Sequence, residues 1–379
     1  MNIHGLFTLK NYKKRKKIED DVLKIYRKVS PSHRNITDSQ SKAQFFNQRI
    51  TLFKTLGLPL SFFKNKKVLE IGGGTGEKAL FYAFYGADVT IVEPNEKSCL
   101  IAKKIFSQTK LTKKLTVINK SLFDIDLSII KKFDMICLEG VLPVTFHRLQ
   151  ALNLILKNMS PTQIIMIATG ESHGMLKRDL QKMAAKKLGK SDPEKIYYYV
   201  KKLFPEHLLR ATKYDLRNEN QVIYDNYINP QDETSNLRDI CNAFFKNKIS
   251  YLSSYPKLDL FYITNPWGQH REDHFNYKFY QNYYQILEKI WMTCGEENIS
   301  SDLQSFDLKK IIRRAYTDSE KLLDLKQKIR TNNFTENDLK IIKYGYMGVG
   351  LHYFLGMKDN EDVAKFTNTL KNYHKTEIK

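Results

Sequence analysis

At 379 residues, with 42% apolar and 12% aromatic residues against 27% charged, the chain has the composition of a folded protein. It is longer than one core usually fills, so one full α/β domain with substantial additions is expected. No apolar run approaches the roughly 20 residues that span a bilayer. The basic first residues lead into Ile18-Glu19-Asp20-Asp21 rather than an apolar stretch, so neither a membrane span nor a secretory signal is expected and a cytoplasmic location follows.

The formal charge of +21 is unevenly spread: residues 1–67 carry +12, residues 68–170 carry +3 and residues 171–379 carry +6. The densest run, Lys13-Lys14-Arg15-Lys16-Lys17, reads as a solvated helix face before it reads as an RNA contact. It lies far ahead of the first strong strand, and nothing in the sequence places it at a site. Cys99, Cys137, Cys241 and Cys294 form no C-x-x-C pair, which argues against zinc and against a disulfide framework, and no metal is expected.

In chain order, residues 18–28 and 40–56 show helical spacing, with Phe45, Ile50, Phe53 and Leu56 as the apolar positions of the second. Strands and helices then alternate. Val68-Leu69-Glu70-Ile71 reads as a strand, Glu77 to Tyr85 as a helix, Asp88 to Val92 as a strand and Glu96 to Phe106 as a helix. Leu115 to Ile118, Phe133 to Leu138 and Gln163 to Ala168 read as further strands, with a helix over Leu149 to Asn158. This interleaving predicts a doubly wound, Rossmann-like, mostly parallel α/β sheet. Beyond about Lys190 helical patterns dominate, at Ile196 to Leu203, Asn236 to Asn247, Tyr277 to Met292 and Ser305 to Ala315, with turns at Asn229-Pro230, Tyr255-Pro256 and Asn265-Pro266-Trp267-Gly268. The expected organisation is a helical lead-in over residues 1–64, a cofactor-binding domain over 65–190 and a mainly helical substrate-side cap over 191–379.

The segment Val68-Leu69-Glu70-Ile71-Gly72-Gly73-Gly74-Thr75-Gly76 is an apolar strand that ends in G-x-G-x-G ahead of a helix. Glycines permit the tight strand-to-helix turn and a close ligand approach. Compared with the dinucleotide fingerprint G-x-G-x-x-G, the third glycine comes one residue early, and Glu70 brings a carboxylate that repels a diphosphate and suits a cationic ligand. Glu93 ends the next strand, where an acid accepts hydrogen bonds from both hydroxyls of a ribose. No G-x-x-x-x-G-K-[ST] run exists, which excludes P-loop chemistry.

Over roughly residues 65–170 the sequence resembles the class I S-adenosylmethionine-dependent methyltransferase superfamily. The resemblance implies S-adenosylmethionine as cofactor. It also implies that Glu70 fixes the methionine end, that Gly72, Gly74, Thr75 and Gly76 form the loop beneath the cofactor, that Glu93 holds the ribose, and that Pro94 and Asn95 flank the adenine. Many members carry an Asp after the third strand for the adenine amino group; here Ser121 and Leu122 take that place, with Asp124 a little later. Phe133-Asp134-Met135-Ile136-Cys137-Leu138-Glu139-Gly140-Val141-Leu142 matches the fourth strand, whose loop, with Glu139 and Gly140, runs along the cofactor toward the acceptor.

The loop after the fourth strand lacks the Asn/Asp-Pro-Pro-aromatic run of the amino-methylating nucleic-acid enzymes, and no Pro-Cys nucleophile is present. At the carboxyl edge of the sheet, His147 and His173 are the candidate bases and Lys177 with Arg178 the candidate binders of a phosphate or carboxylate. Asp225 with Asn229-Pro230, and Tyr344-Gly345-Tyr346 with His352, are further aromatic-polar clusters read as core or as acceptor-pocket wall. The expected activity is methylation of a small polar acceptor, a metabolite or glycan, on oxygen or nitrogen. The alternatives are an RNA methyltransferase and a cofactor-binding protein without transfer activity.

Overall fold

A computed structural model of the chain describes residues 9–30, 33–36, 38–231, 233–258, 281–293, 308–345 and 350–359. Among these described residues, seven strands form one sheet in the order β3-β2-β1-β4-β5-β7-β6. They are β1 (Lys67–Ile71), β2 (Asp88–Val92), β3 (Leu115–Ile118), β4 (Met135–Glu139), β5 (Ile164–Gly170), β6 (Ile249–Tyr255) and β7 (Leu351–Lys358). The first five are parallel, with register pairs such as Glu70 with Ile91 and Glu70 with Cys137. β7 is antiparallel to both β5 and β6. The strand order reverses at β1 and β4, and an open α/β sheet binds its ligand in the crevice at the carboxyl ends there.

β1 is buried on both faces, as a central parallel strand is. Its alternate residues serve different cores: Leu69 and Ile71 join one apolar cluster with Ile136 and Leu138, while Val68 joins the other with Met135 and Cys137. Helices α3 (Glu77–Phe84), α4 (Glu96–Ser107) and α5 (Arg148–Lys157) are the crossovers. Asn95 starts α4 by accepting a hydrogen bond from the Lys97 N–H at 3.2 Å.

The lead-in is two helices, α1 (Leu9–Val29) and α2 (Ser39–Leu56). α2 begins with a capping box between Asp38 and Ser41 and ends on left-handed Gly57, φ 73°. After β5 come α6 (Leu176–Leu188), α7 (Pro193–Leu203), α8 (Pro205–Asp215), α9 (Glu219–Ile223), a π-helical turn at Tyr224–Ile228 and α10 (Leu237–Lys246), and later α11 (Gln281–Thr293) and α12 (Leu308–Arg330). Leu180, Val200, Phe204, Tyr227 and Ile329, drawn from this set, form a third apolar cluster apart from the two that flank the sheet.

The sheet extends past residue 190, because β6 and β7, from the part expected to be a helical cap, complete it beside β5. Their sequences hid them. The β6 stretch Ile249-Ser250-Tyr251-Leu252-Ser253-Ser254-Tyr255 carries an irregularity between Tyr251 and Ser253 that breaks its alternation. In β7, Gly356 sits mid-strand because a Cβ there would meet Ile249 Cγ2 at 2.6 Å. The turn expected at Asn265-Pro266-Trp267-Gly268 lies outside the described residues, as do parts of the helices expected at Tyr277 to Met292 and Ser305 to Ala315.

Candidate cofactor and acceptor cavity

The glycine loop leaves β1 through three left-handed residues, Gly72, Gly74 and Gly76, at φ 66°, 55° and 87°. Only glycine takes these routinely, and at Gly72 a Cβ would also collide with Val141 Cγ2 at 2.3 Å. Glu93, at the end of β2, spans the loop: its Oε2 accepts from the Gly74 N–H at 3.0 Å and its Oε1 from the Asn95 N–H at 2.8 Å. Burial raises its pKa against the pull of these two backbone donors. Glu93 therefore stands as a fixed acceptor on the floor of a cavity of about 1240 Å³, beside Gly72, Gly74, Pro94, Ser121, Leu122 and Gly140. Thr75, Gly76 and Asn95 do not reach the cavity wall. Thr75 donates to Glu77 at 2.6 Å, and Gly76 comes against Ala102 of α4.

Below the loop lies a charged network. Glu70 is fully buried, and Lys78, from the first turn of α3, reaches its Oε1 at 3.1 Å. Burial pushes the Glu70 carboxyl up to about 7, with Lys78 opposing. Lys78 also donates to the Glu139 carbonyl at 3.1 Å and itself faces the cavity, which Glu70 does not. The Glu139 side chain is clasped by Arg49 of α2, with Nη2 to Oε1 at 2.8 Å and Nη1 to Oε2 at 2.5 Å, and by the Tyr82 hydroxyl at 2.6 Å. Burial alone would raise the Glu139 pKa, but the charges of Arg49 and then Lys78 win and bring it to about 2. Arg49 rests on the rings of Phe53, Tyr82 and Phe81 at 5.1 to 5.7 Å.

The cavity runs on from this floor. Glu19, Val22, Leu23 and Tyr26 of α1 line it, at the 0, 3, 4, 7 spacing of one helical face. The far wall holds Arg178 of α6, His207, Arg210 and Tyr214 of α8, then Asp215, Arg217 and Asp225. Arg217 bridges both carboxylates, to Asp225 at 2.7 Å and Asp215 at 3.0 Å, and the Tyr26 hydroxyl reaches Asp225 at 3.1 Å. The His207 Nδ1–H donates to the Tyr344 carbonyl at 2.8 Å. Burial, with Arg210 and Arg178 nearby, lowers its pKa to about 4, so the ring is neutral.

The other residues singled out in the sequence fall elsewhere. His147 opens α5 in left-handed conformation, its ring 4.1 Å from that of Phe146, and it does not line the cavity. His173 pairs with Glu171 at 2.9 Å and approaches Glu288 at 3.8 Å, again off the cavity wall. Lys177 donates to the Thr293 carbonyl at 3.3 Å, whereas its neighbour Arg178 does face the cavity. Of the aromatic-polar clusters, Asp225 lines the wall, His352 packs against Trp291 at 4.5 Å, and Tyr346 lies outside the described residues. The far wall residues His207, Arg210 and Arg217 carried no local motif. Arg49 does carry a signal in the sequence: it shares the buried face of α2 with Phe45, Phe53 and Leu56, and a charge on an apolar stripe needs a partner.

Residues 42–166 match the family model described as "Tellurite resistance protein TehB". The matched residues hold the glycine loop and the acid ending β2, and the mostly parallel sheet around them has the Rossmann-like α/β fold of the class I S-adenosylmethionine-dependent methyltransferases. No curated protein matches the chain. Among solved structures it is similar to PKMT2 from Rickettsia typhi, at 15% identity over 87% of this chain and 53% of that one, with a TM-score of 0.42. It is also similar to the same protein in complex with AdoHcy, at 16% identity over 81% and 52%, with a TM-score of 0.43. A methyltransferase from Mesorhizobium loti matches at 18% identity over 32% of this chain and 54% of that one, with a TM-score of 0.28. The chain spans about half the length of these structures.

Proposed function

We propose that the protein binds S-adenosylmethionine over Glu93 and the Gly72 to Gly76 loop, and transfers its methyl group to an oxygen or nitrogen of a small polar acceptor, a metabolite or glycan. The observation that carries this reading is the single cavity that joins the Glu93 floor to the far wall of Arg178, His207 and Arg217, under the cover of α1. At about 1240 Å³ it exceeds the roughly 300–1,000 Å³ of an ordinary ligand pocket and has room for two ligands.

When bound, the cofactor supplies an electrophilic methyl group on a sulfonium, so the protein's main task is to place the acceptor in line and keep water out. Glu93 takes the ribose hydroxyls, Pro94, Ser121 and Leu122 lie along the adenine, and Gly140 with the Glu139 backbone borders the path to the acceptor. Arg178, with Arg210 and Arg217 on the same wall, supplies positive charge on the substrate side. With His147 and His173 off the cavity wall, this reading assigns the transfer no histidine base of theirs. A cytoplasmic location belongs to the same reading and is supported by Cys99, Cys137 and Cys241, all free and buried. No helix among the described residues is long and apolar enough to cross a membrane.

The test is to incubate the full-length protein with methyl-labelled S-adenosylmethionine and cell extract separated into low-mass, RNA and protein fractions. Label is expected in a low-mass product that is chromatographically distinct from S-adenosylmethionine and its breakdown products. Label confined to RNA or protein would contradict the small-acceptor reading.

A further inference from the structure

We infer that Lys78 is the residue that reads the carboxylate of the cofactor's amino-acid end, in place of a direct contact from Glu70. The inference rests on the cofactor reading above and goes beyond it by giving that end of the ligand a partner. Three observations carry it.

The acid at the end of β1 is out of reach. Glu70 is 0% exposed and absent from the cavity wall, although the sequence pattern points to it as the contact with the methionine end. Lys78 lies over it, a quarter exposed, and lines the cavity beside Gly72, Gly73 and Glu139. Thus the polar head presented to a ligand at this point is a cation.

That cation is held but not saturated. An ammonium has three N–H donors in a compact head. One is given to the Glu139 carbonyl at 3.1 Å, and the head is paired with Glu70 Oε1 at 3.1 Å. One donor remains for a ligand, and the two anchors fix the stem so that little side-chain freedom is lost on binding. Arg49 takes both oxygens of the Glu139 carboxylate, so that acid attracts Lys78 through space without taking one of its hydrogen bonds.

The charge balance agrees. Glu70 titrates near 7, raised by burial against the pull of Lys78, so close to neutrality it offsets Lys78 only in part. A ligand carboxylate completes the neutralisation in a poorly solvated place, where such an ion pair is strong. Glu70 then acts through Lys78 as a positioning residue.

Two ligands separate this inference from the cofactor reading: S-adenosylhomocysteine, and 5′-methylthioadenosine, which keeps the nucleoside thioether but lacks the amino-acid end. Both are titrated calorimetrically into wild type, Lys78→Met and Lys78→Met/Glu70→Gln. The double variant removes both buried charges and guards against a fold made unstable by an unpaired Glu70. Lys78→Met and the double variant are expected to lose about tenfold or more in S-adenosylhomocysteine affinity, with methylthioadenosine affinity unchanged. If either folded variant weakens both ligands equally, or neither, the inference falls while the cofactor reading stands. If wild type binds neither ligand, both fall.

Discussion

The two halves of the cavity are built in opposite ways. The half proposed for the cofactor comes from consecutive stretches, Ile71 to Gly74, Val92 to Pro94, Ser121 to Phe123 and Glu139 to Val141, each a loop at the carboxyl end of a neighbouring parallel strand. The half proposed for the acceptor is assembled from residues far apart in the chain: α1, α2, Arg178, the span from His207 to Asn226, Tyr255 and Tyr353. A ligand half fixed by the strand order repeats wherever that order repeats. A half made of long-range contacts is free to change with the helices that supply them.

The Arg49 to Glu139 pair is where the halves meet, so its loss is the largest effect expected. Arg49→Met leaves the Glu139 carboxylate buried with only the Tyr82 hydroxyl, and breaking such a pair costs about 3–5 kcal/mol. Urea unfolding at pH 7 measures it; a cost below about 1 kcal/mol would mean that the two halves are not joined there. The acid limb should respond as well. Glu139 titrates near 2 in the folded protein, below its ordinary 4.5, so its stabilisation is complete above about 4.5 and is lost as pH falls toward 2. In the variant that acid-sensitive loss should shrink.

Glu70 has the opposite sign. Its folded-state value near 7 lies above 4.5, so the protonated form is favoured on folding and stability falls as pH rises from about 4.5 through 7. Glu70→Gln removes that decline. Relative to wild type, the variant should be more stable at pH 8 than at pH 5, by up to about 3 kcal/mol at roughly 1.4 kcal/mol per unit. Parallel stability curves for the two proteins would contradict the burial argument.

Smaller still, and confined to the cofactor half, Glu93→Ala should weaken S-adenosylhomocysteine by about 1.5–3 kcal/mol through the lost charge-assisted bonds to the ribose. The fold should hold, because the other tie of that loop to β2, the Gly72 N–H to the Val92 carbonyl at 2.7 Å, is untouched. An unchanged affinity in a folded variant would move the ribose elsewhere.

What the sequence made legible follows the same division. The strands Asp88–Val92 and Leu115–Ile118 were readable to the residue because each is a short β-branched or apolar run between turn signals, and the glycine loop was readable from its spacing together with Glu70 and Glu93. β6 and β7 were not, since a bulge and a mid-strand glycine blur their period. Nor was the place of α1. Its basic run appeared remote from everything, yet the turns that follow that run, Glu19 to Tyr26, lie across the cavity, and the Lys14 ammonium stands 5.4 Å from the Phe146 ring. Spacing along a helix shows which residues share a face, as Glu19, Val22, Leu23 and Tyr26 do, and is silent on what the face covers.

The central claim is that the cavity holds S-adenosylmethionine and S-adenosylhomocysteine at Glu93, and that the shortened glycine loop disfavours a dinucleotide. Calorimetric titration of the full-length protein with S-adenosylmethionine, S-adenosylhomocysteine and NAD tests it most directly. Binding of both sulfur nucleosides with no binding of NAD is the predicted result; NAD binding tighter than S-adenosylhomocysteine would contradict the account.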